Sequence, residues 1–382
     1  MLKQNYVKLQ PICFVSELAF QPLELYWKSN HSPKPNCIGR SLQLFPGTEI
    51  DCTTLYNSFS YKKWCKYTGL SSLYLQLFFQ GKIKVQFFQY TMYQAKIIAT
   101  KIAEKEILSG QLVPFYLQGQ PDIVGIKILS LTDTTLYSGE FLTEHIPALR
   151  EDCKLAINMC TYNRHSDVDR NLQNIVANIF LDKHHCLNHH LEVFITDNGS
   201  NYVNTFPAFQ DRIHLQYCDE LGSAGGFSLG AQWIMESESK RFDYIIFMDD
   251  DIAFPSTVLE RTYLFLRCVL PQYRDYSLGG AFMRLTTPEF QHESGALWNN
   301  GNIISVKPNL DMRELRSILW NEVEEVTEYM GWWYCCIPTC CIREKGYPLP
   351  IYFHRDDVEF GLRNKNQFTL NGICVWHVTP DQ

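Results

Sequence analysis

Three consecutive aspartates, Asp249, Asp250 and Asp251, follow the apolar run Tyr244-Ile-Ile-Phe-Met248. Isolated carboxylates are too costly to bury unpaired, so a buried cluster needs a partner. On an extended backbone successive side chains alternate, which sends Asp249 and Asp251 to one side and Asp250 to the other. Two carboxylates converging from one side suit a hard divalent cation that also holds phosphate oxygens. A solvated acidic turn is the plain alternative, and the apolar lead-in argues against it. A second pair, Asp356-Asp357, opens a helix-like stretch ending at Arg363. A carboxylate there could accept a proton from an attacking hydroxyl, or could simply cap the helix. Trp332 and Trp333 offer flat faces to a ring-shaped ligand, although paired tryptophans are also common core residues.

The elements that must position these groups are legible around them. The run before the aspartates reads as a strand buried on both faces, as in a parallel sheet. From Lys154 onward strands and helices alternate: strands over Lys154 to Met159, Leu191 to Thr196, His214 to Tyr217 and Asp243 to Met248, with helices to about Leu181 and Glu236. That repetition predicts a mainly parallel α/β sheet covered on both faces. Ligands of such sheets sit beyond the carboxyl ends of the strands. Four loops reach that edge: Cys160-Thr161-Tyr162-Asn163-Arg164, Asp197 to Asn201, Gly222 to Gly226, and the aspartates. A helix around Ser256 to Leu270, a strand at Gly279 to Ala281 and a helix after Asp356 follow, with no internal repeat.

Residues 1–150 read as an all-β sandwich or barrel domain ahead of a catalytic domain over 151–382. Strand candidates are Ser41 to Phe45, Glu49 to Leu55, Ile123 to Leu131 and Thr135 to Leu142, plus a hairpin over Leu73 to Tyr90 turning at Gly81. Carbohydrate binding or oligomer contacts are open to this module, but bracing the second domain is the role expected of it.

A chain of 382 residues with 46% hydrophobic and 20% charged content can bury sizeable cores. Its net charge of -7 leaves no electrostatic footprint for nucleic acid. No apolar run is long enough to cross a membrane as a helix, and the first residues lack the pattern of a secretory signal. The fourteen cysteines are scattered, and the group Cys335, Cys336, Cys340 and Cys341 lacks the spacing of a zinc site. Buried free thiols in a reducing cytoplasm are the expectation.

A nucleotide-sized cleft, an acidic metal motif, a second carboxylate pair and a tryptophan pair fit glycosyl transfer from a nucleotide diphosphate sugar. The leaving diphosphate builds negative charge that a divalent cation stabilises, and an inverting transfer needs one base, for which Asp357 is placed.

At these residues the chain resembles the bacterial galactofuranosyltransferases, inverting enzymes of glycosyltransferase family two with a GT-A catalytic domain. It is similar to the polymerising enzyme of the mycobacterial cell wall. The resemblance runs over nearly the whole chain. In the β-rich part it rests on Pro46 to Glu49, Thr54 to Phe59 and Trp64. In the catalytic part it rests on Cys160 to Arg164, Asp197 to Gly199, Gly222 to Gly226, Asp249 to Asp251, Gly331 to Trp333, Asp356-Asp357 with Glu359 to Arg363, and Trp376-His377.

The resemblance implies the following roles. Asp249, Asp251 and His377 would hold manganese or magnesium. Thr161, Arg164 and Asp197 would contact uridine and ribose, Asp250 would serve the donor site, and the Gly225-Gly226 loop would leave room for diphosphate and sugar. Asp357 would be the base, with Asp356 holding donor or acceptor hydroxyls. Trp332 and Trp333 would form the acceptor platform, and His292 and Glu293 would line the sugar pocket.

The implied reaction is transfer of galactofuranose from UDP-galactofuranose to a glycan or lipid-linked glycan acceptor such as an O-antigen, capsule or galactan. The implied place is the cytoplasm, with the inner face of the bacterial inner membrane within reach. A UDP-hexopyranose donor is the alternative within the same fold, and an inactive carbohydrate-binding homologue is the alternative outside catalysis. The mycobacterial relative continues into a long helical region beyond the point where this sequence stops at Gln382, which leaves homo-oligomer formation, membrane contact and processivity open.

Overall fold

The computed structural model describes residues 6–29, 34–237 and 242–379. A nine-stranded mixed sheet forms the second half. Its first four strands stand in the order Ile213–Tyr217, Leu191–Asp197, Leu155–Thr161, Tyr244–Asp249, all parallel. Leu155–Thr161 and Tyr244–Asp249 are buried along almost their whole length, which is why their sequences are apolar runs instead of alternating ones. The chain leaves Leu155–Thr161 toward one side of the sheet and returns on the other as Tyr244–Asp249. The crevice at that reversal of strand order is where such sheets take ligands.

Beyond the aspartate strand the sheet turns antiparallel through Cys335–Pro338 and Ser277–Arg284. The final strand, Gln367–His377, then pairs in parallel with Ser277–Arg284. An isolated bridge closes the arrangement. Ala253 and Trp376 exchange backbone hydrogen bonds, each 2.8 Å, and so lay the end of the final strand against the turn after the aspartates.

The first half holds two antiparallel sheets. One contains Asn36–Ile38, Ser41–Leu44, Thr134–Thr143, Tyr74–Gln80, Leu112–Pro114 and Val7–Ile12; the other contains Glu49–Asp51, Ile123–Ser130, Ile83–Tyr93 and Lys96–Ile107. Two expectations for this region fail. Helix Tyr61–Thr68 interrupts the strands, so the region is β-rich and not all-β. The runs on either side of Gly81 do not pair: Tyr74–Gln80 joins one sheet and Ile83–Tyr93 the other. Gly81 turns this corner at φ 106°, where an added Cβ would lie 2.6 Å from the Asp133 carbonyl oxygen. The hairpin instead joins Ile83–Tyr93 to Lys96–Ile107 through Gln94 and Ala95, both at positive φ.

All fourteen cysteines are free thiols. In the dense group Cys335, Cys336 and Cys341 are buried, whereas Cys340 is exposed.

The two halves are stapled by buried polar contacts. Arg261, on helix Thr257–Leu266, is 3% exposed and donates to the carbonyls of Pro11 at 2.9 Å and Tyr56 at 2.5 Å. Its guanidinium also lies 5.6 Å from the Tyr56 ring centre. Lys8 pairs with Glu260 at 2.8 Å, and Lys63 donates to the Thr369 carbonyl at 2.8 Å. Replacing Arg261 by Met would take a charged donor from two buried carbonyls, of which Tyr56 would keep only the longer bond from the Gln10 amide at 3.3 Å. The Arg261→Met variant is expected to lose about 2–4 kcal/mol of stability, read by urea denaturation; a midpoint equal to the parent's would show that the staple carries no load.

Candidate active site

Register places the site. Cys160 lies opposite Asp249 on the neighbouring strand, so the turn 161–164 stands beside Asp250 and Asp251. Thr161 Oγ1 donates to Asp250 Oδ2 at 2.7 Å. Arg164 Nη1 donates to Asp250 Oδ1 at 3.1 Å and also to Asp251 Oδ2. Asn171 fixes the turn by donating to the Asp250 carbonyl at 2.8 Å. Burial raises Asp250 above the usual carboxylate range, against the Thr161 hydrogen bond and the Arg164 charge.

Asp249 and Asp251 meet His377, while Asp251 also shares Arg164 with Asp250. Oxygens of both aspartates and a ring nitrogen of His377 lie within 4.8 Å of one another. The Ala253–Trp376 bridge explains this meeting, since His377 is the next residue after the bridged tryptophan. The His377 Nε2 to Asp251 Oδ1 distance is 2.9 Å, and Nδ1 lies 2.6 Å from the Val378 carbonyl oxygen. Burial would raise Asp251, but the hydrogen bond and charge of His377, with Arg164, hold it below the usual range. Burial likewise opposes charge on His377, yet Asp251 and Asp249 carry its pKa up to about 9.

Asp249 is the uncompensated member. Burial pushes it up to about 8 against the pull of His377, and Asp251, Asp250 and Asp356 push the same way. Among the described residues no side chain or backbone N–H hydrogen-bonds its carboxylate. Two carboxylates and one imidazole, one carboxylate lacking a donor, form a set that a divalent cation of the manganese or magnesium type fits.

Across the cleft, helix Asp356–Arg363 presents Asp356 and Asp357 in its first turn. Asp357 Oδ1 accepts the Val358 N–H at 2.7 Å. Burial, then Asp356, raise Asp357 to about 7, with a further push from Glu293. Asp356 is also raised by burial. The preceding residues Tyr352, His354 and Arg355 all have positive φ. They form a strap whose Tyr352 hydroxyl reaches Glu220 at 3.2 Å.

Thr161, Arg164, the three aspartates, both tryptophans, Asp356, Asp357 and His377 line one cavity of about 1110 Å³. Trp332 shows only an edge to it: it is 5% exposed, with Phe247 at 4.3 Å and Phe227 at 5.5 Å between ring centres. Trp333 is half-buried and donates from Nε1 to the Gly280 carbonyl at 3.0 Å.

Other expected residues stand elsewhere. Asp197 is fully buried, and its two oxygens accept the N–H groups of Gly199, Asn201 and Tyr202 at 2.7–2.8 Å. It shapes the loop behind the cleft and has no free face for uridine. Gly225 and Gly226 are not on a loop but inside helix Gly222–Glu236. A Cβ on Gly226 would meet Cys160 Sγ at 2.3 Å, and one on Gly225 would meet Leu221 at 2.6 Å. The space they leave is filled by protein, so they permit close helix packing and leave no room for diphosphate. Gly222 and Ser223, at the start of that helix, line the cavity instead.

His292 and Glu293 do not line the cavity. The His292 ring packs on Phe282, and Glu293 is buried with Ser305 donating to it. Sequence reasoning put Tyr162 and Asn198 in loops at the cleft without giving them a role, and missed Glu220, Ile303 and the strap residues Tyr352 to Arg355; all of these line the cavity. Asn198 follows Asp197 directly, and its amide ties the glycine-rich helix by donating to the Gly222 carbonyl at 3.1 Å.

Residues 156–305 match the Glycosyl transferase family 2 model, which spans the aspartate motif and the turns beside it. Over these residues the chain is similar to the family 2 glycosyltransferases. The chain is 25% identical to galactofuranosyltransferase GlfT2 of Mycolicibacterium smegmatis, over 88% of this chain and 55% of the relative. It is likewise 25% identical to GlfT2 of Mycobacterium tuberculosis, with the same coverage of 88% and 55%. The chain thus spans about half the length of the curated relatives it matches. Among solved structures, S. aureus TarS 1-349 is 12% identical over 60% of this chain and 61% of that one, with a TM-score of 0.37. Its complex with UDP is 11% identical over 59% of this chain and 60% of that one, also at 0.37. A likeness at that level does not bear on donor or reaction.

The raised Asp357 has a consequence for stability. Its folded pKa of about 7 lies above the ordinary carboxylate value, so the folded state resists the charged form. The penalty is absent below about pH 4, grows as pH rises toward 7 and is complete above it. Asp357→Asn is expected to stabilise the protein at pH 8 by on the order of 2 kcal/mol and to change nothing at pH 4. Denaturation at both pH values checks this, and an equal effect at the two would contradict it.

Proposed function

We propose that the protein is a metal-dependent, inverting galactofuranosyltransferase that uses UDP-galactofuranose and extends a bacterial surface glycan such as an O-antigen, capsule or galactan. The observation that carries this reading is one cleft with Asp249, Asp251 and His377 on one wall and Asp357, titrating near neutrality, on the other. The galactofuranose assignment rests on the similarity to the two GlfT2 proteins.

In this reading Thr161 and Arg164, already fixed on Asp250, offer the turn that receives the uridine end of the donor. Asp249, Asp251 and His377 would hold a manganese or magnesium ion, which supplies positive charge for the departing diphosphate. Asp357 takes the proton of an acceptor hydroxyl while the hydroxyl oxygen bonds to the anomeric carbon. The bond from that carbon to the diphosphate oxygen breaks, UDP leaves with the electron pair, and the configuration inverts. A base with a pKa of about 7 is half-ionised at neutral pH, which suits proton removal there. Trp333, with the exposed edge of Trp332, gives the acceptor an apolar wall. Asp356 is buried beside the base and stands where it can fix a hydroxyl. The cytoplasm supplies the nucleotide sugar. Among the described residues no helix is long and apolar enough to cross a membrane, and contact with the inner face would be peripheral.

A donor comparison tests the reading. Purified protein with manganese and a synthetic galactoside acceptor is expected to transfer from UDP-galactofuranose, and not from UDP-galactopyranose or UDP-glucose, with products read by mass spectrometry. Chelation should abolish transfer. Transfer from a pyranose donor would keep the mechanism and overturn the sugar assignment. Asp357→Asn is expected to slow transfer by roughly 10²–10⁴-fold while UDP binding stays at the parental level; parallel loss of binding and turnover would remove Asp357 from the role of base.

A further inference from the structure

A second cavity, of about 110 Å³, opens where helix Tyr61–Thr68 meets the turns of the second half. Lys63 and Lys307 both line it and are 5% and 6% exposed. The two ammonium groups converge on a single oxygen: Lys63 Nζ donates to the Asn321 carbonyl at 3.4 Å, and Lys307 Nζ donates to the same carbonyl at 2.9 Å. Lys307 also donates to the Val323 carbonyl, which leaves one of its three N–H groups unused. Its backbone holds φ 52°, a conformation unusual for a lysine and one that clusters at ligand clamps.

Of the nearby carboxylates Glu324 is paired and Glu325 is outside, while Glu322 keeps one buried oxygen, Oε2, without a hydrogen-bond partner. Glu322 accepts from Ser60 at 2.7 Å and from Asn371 at 2.6 Å, and stands 3.7 Å from Lys63. Glu324 is taken by Lys66 and Tyr67, and Glu325 is exposed at the mouth. Burial first, and then the charge of Lys63, lower the Lys307 pKa to about 8, against the pull of Glu325, Glu322 and Glu324. A further polar group lines the same space. Ser294 is 2% exposed, and its Oγ has no hydrogen-bond partner although buried hydroxyls ordinarily find one.

We propose that this cavity is a binding site for a small oxyanion of the phosphate type, held by the Lys307 ammonium and the Ser294 hydroxyl, with Lys63, whose own N–H groups face the Asn321 and Thr369 carbonyls and Glu322, adding only its charge. An oxyanion there accepts the unused Lys307 N–H and the Ser294 O–H, and its charge relieves the repulsion between the two lysines. The site lies outside the large cleft and does not depend on the transferase reading. It adjoins it in sequence, since Ser294 follows Glu293, whose charge acts on Asp357.

Thermal unfolding of the full chain in inorganic phosphate, against chloride at equal ionic strength, tests this. A saturable rise in Tm is expected for the parent. Lys307→Met should weaken the apparent affinity by about tenfold or more, the loss of one charge-assisted hydrogen bond. Ser294→Ala, which removes only a hydroxyl and keeps the fold, should weaken it several-fold. UDP binding should stay unchanged in both. An arm with glycerol 3-phosphate separates the sources: equal affinity identifies the phosphate of a larger ester, and failure to bind identifies the free ion. Absence of a saturable phosphate-specific rise in the parent overturns the proposal. So does a full rise in both variants.

Discussion

The structure turns on buried negative charge at one edge of a sheet. Asp249, Asp250, Asp251, Asp356 and Asp357 all line the same cleft, and burial raises four of the five. Crowding of this kind is tolerated only when cations or donors compensate it. Asp250 has Thr161 and Arg164, and Asp251 has Arg164 and His377. Asp249 has only the charge of His377 and no hydrogen bond, and Asp357 has one backbone N–H. The proposed metal ion falls on the first and the proposed base on the second, and both proposals start from the same shortage of compensation.

The rest of the fold can be read as what keeps those groups in place. Parallel pairing of Leu155–Thr161 with Tyr244–Asp249 sets the turn that carries Arg164 against the aspartates. The Ala253–Trp376 bridge delivers His377 from the far end of the sequence, and the buried Trp376 is anchored by its Nε1 donating to the Pro288 carbonyl at 2.9 Å. Trp332 fills the space between Phe227, Phe247 and Phe360, so the wall that carries it cannot shift without opening the core. The first half contributes through Lys8, Lys63 and the Pro11 and Tyr56 carbonyls that take Arg261, contacts that hold helix Thr257–Leu266 and the final strand. Another potential metal group, His185, Cys186 and Glu260, is claimed by one of these contacts, because the Lys8 ammonium sits on Glu260.

Much of this was legible in the sequence wherever a single element decides the outcome. Apolar runs ending in polar turns gave the strands beside the cleft, and alternation along one strand separated Asp250 from Asp249 and Asp251. Readings failed where a distant segment decides. Nothing local shows that the strands flanking Gly81 enter different sheets, because that depends on Thr134–Thr143 and Ile123–Ser130 arriving as their partners. Gly225 and Gly226 look like a phosphate loop until Cys160 occupies the space beside them. Asp197 looks available until the three N–H groups that follow it fold back onto it. The strap Tyr352 to Arg355 was missed because non-glycine residues at positive φ leave no compositional mark.

The central claim is that Asp249, Asp251 and His377 bind a divalent cation together with the donor's diphosphate. Anomalous diffraction at the manganese edge, from crystals grown with UDP and manganese, tests it most directly. The account predicts one strong peak within coordinating distance of an oxygen of Asp249, an oxygen of Asp251 and a ring nitrogen of His377, with the diphosphate on its open side. UDP bound in the cleft with no peak there, or with manganese at another site, would contradict it.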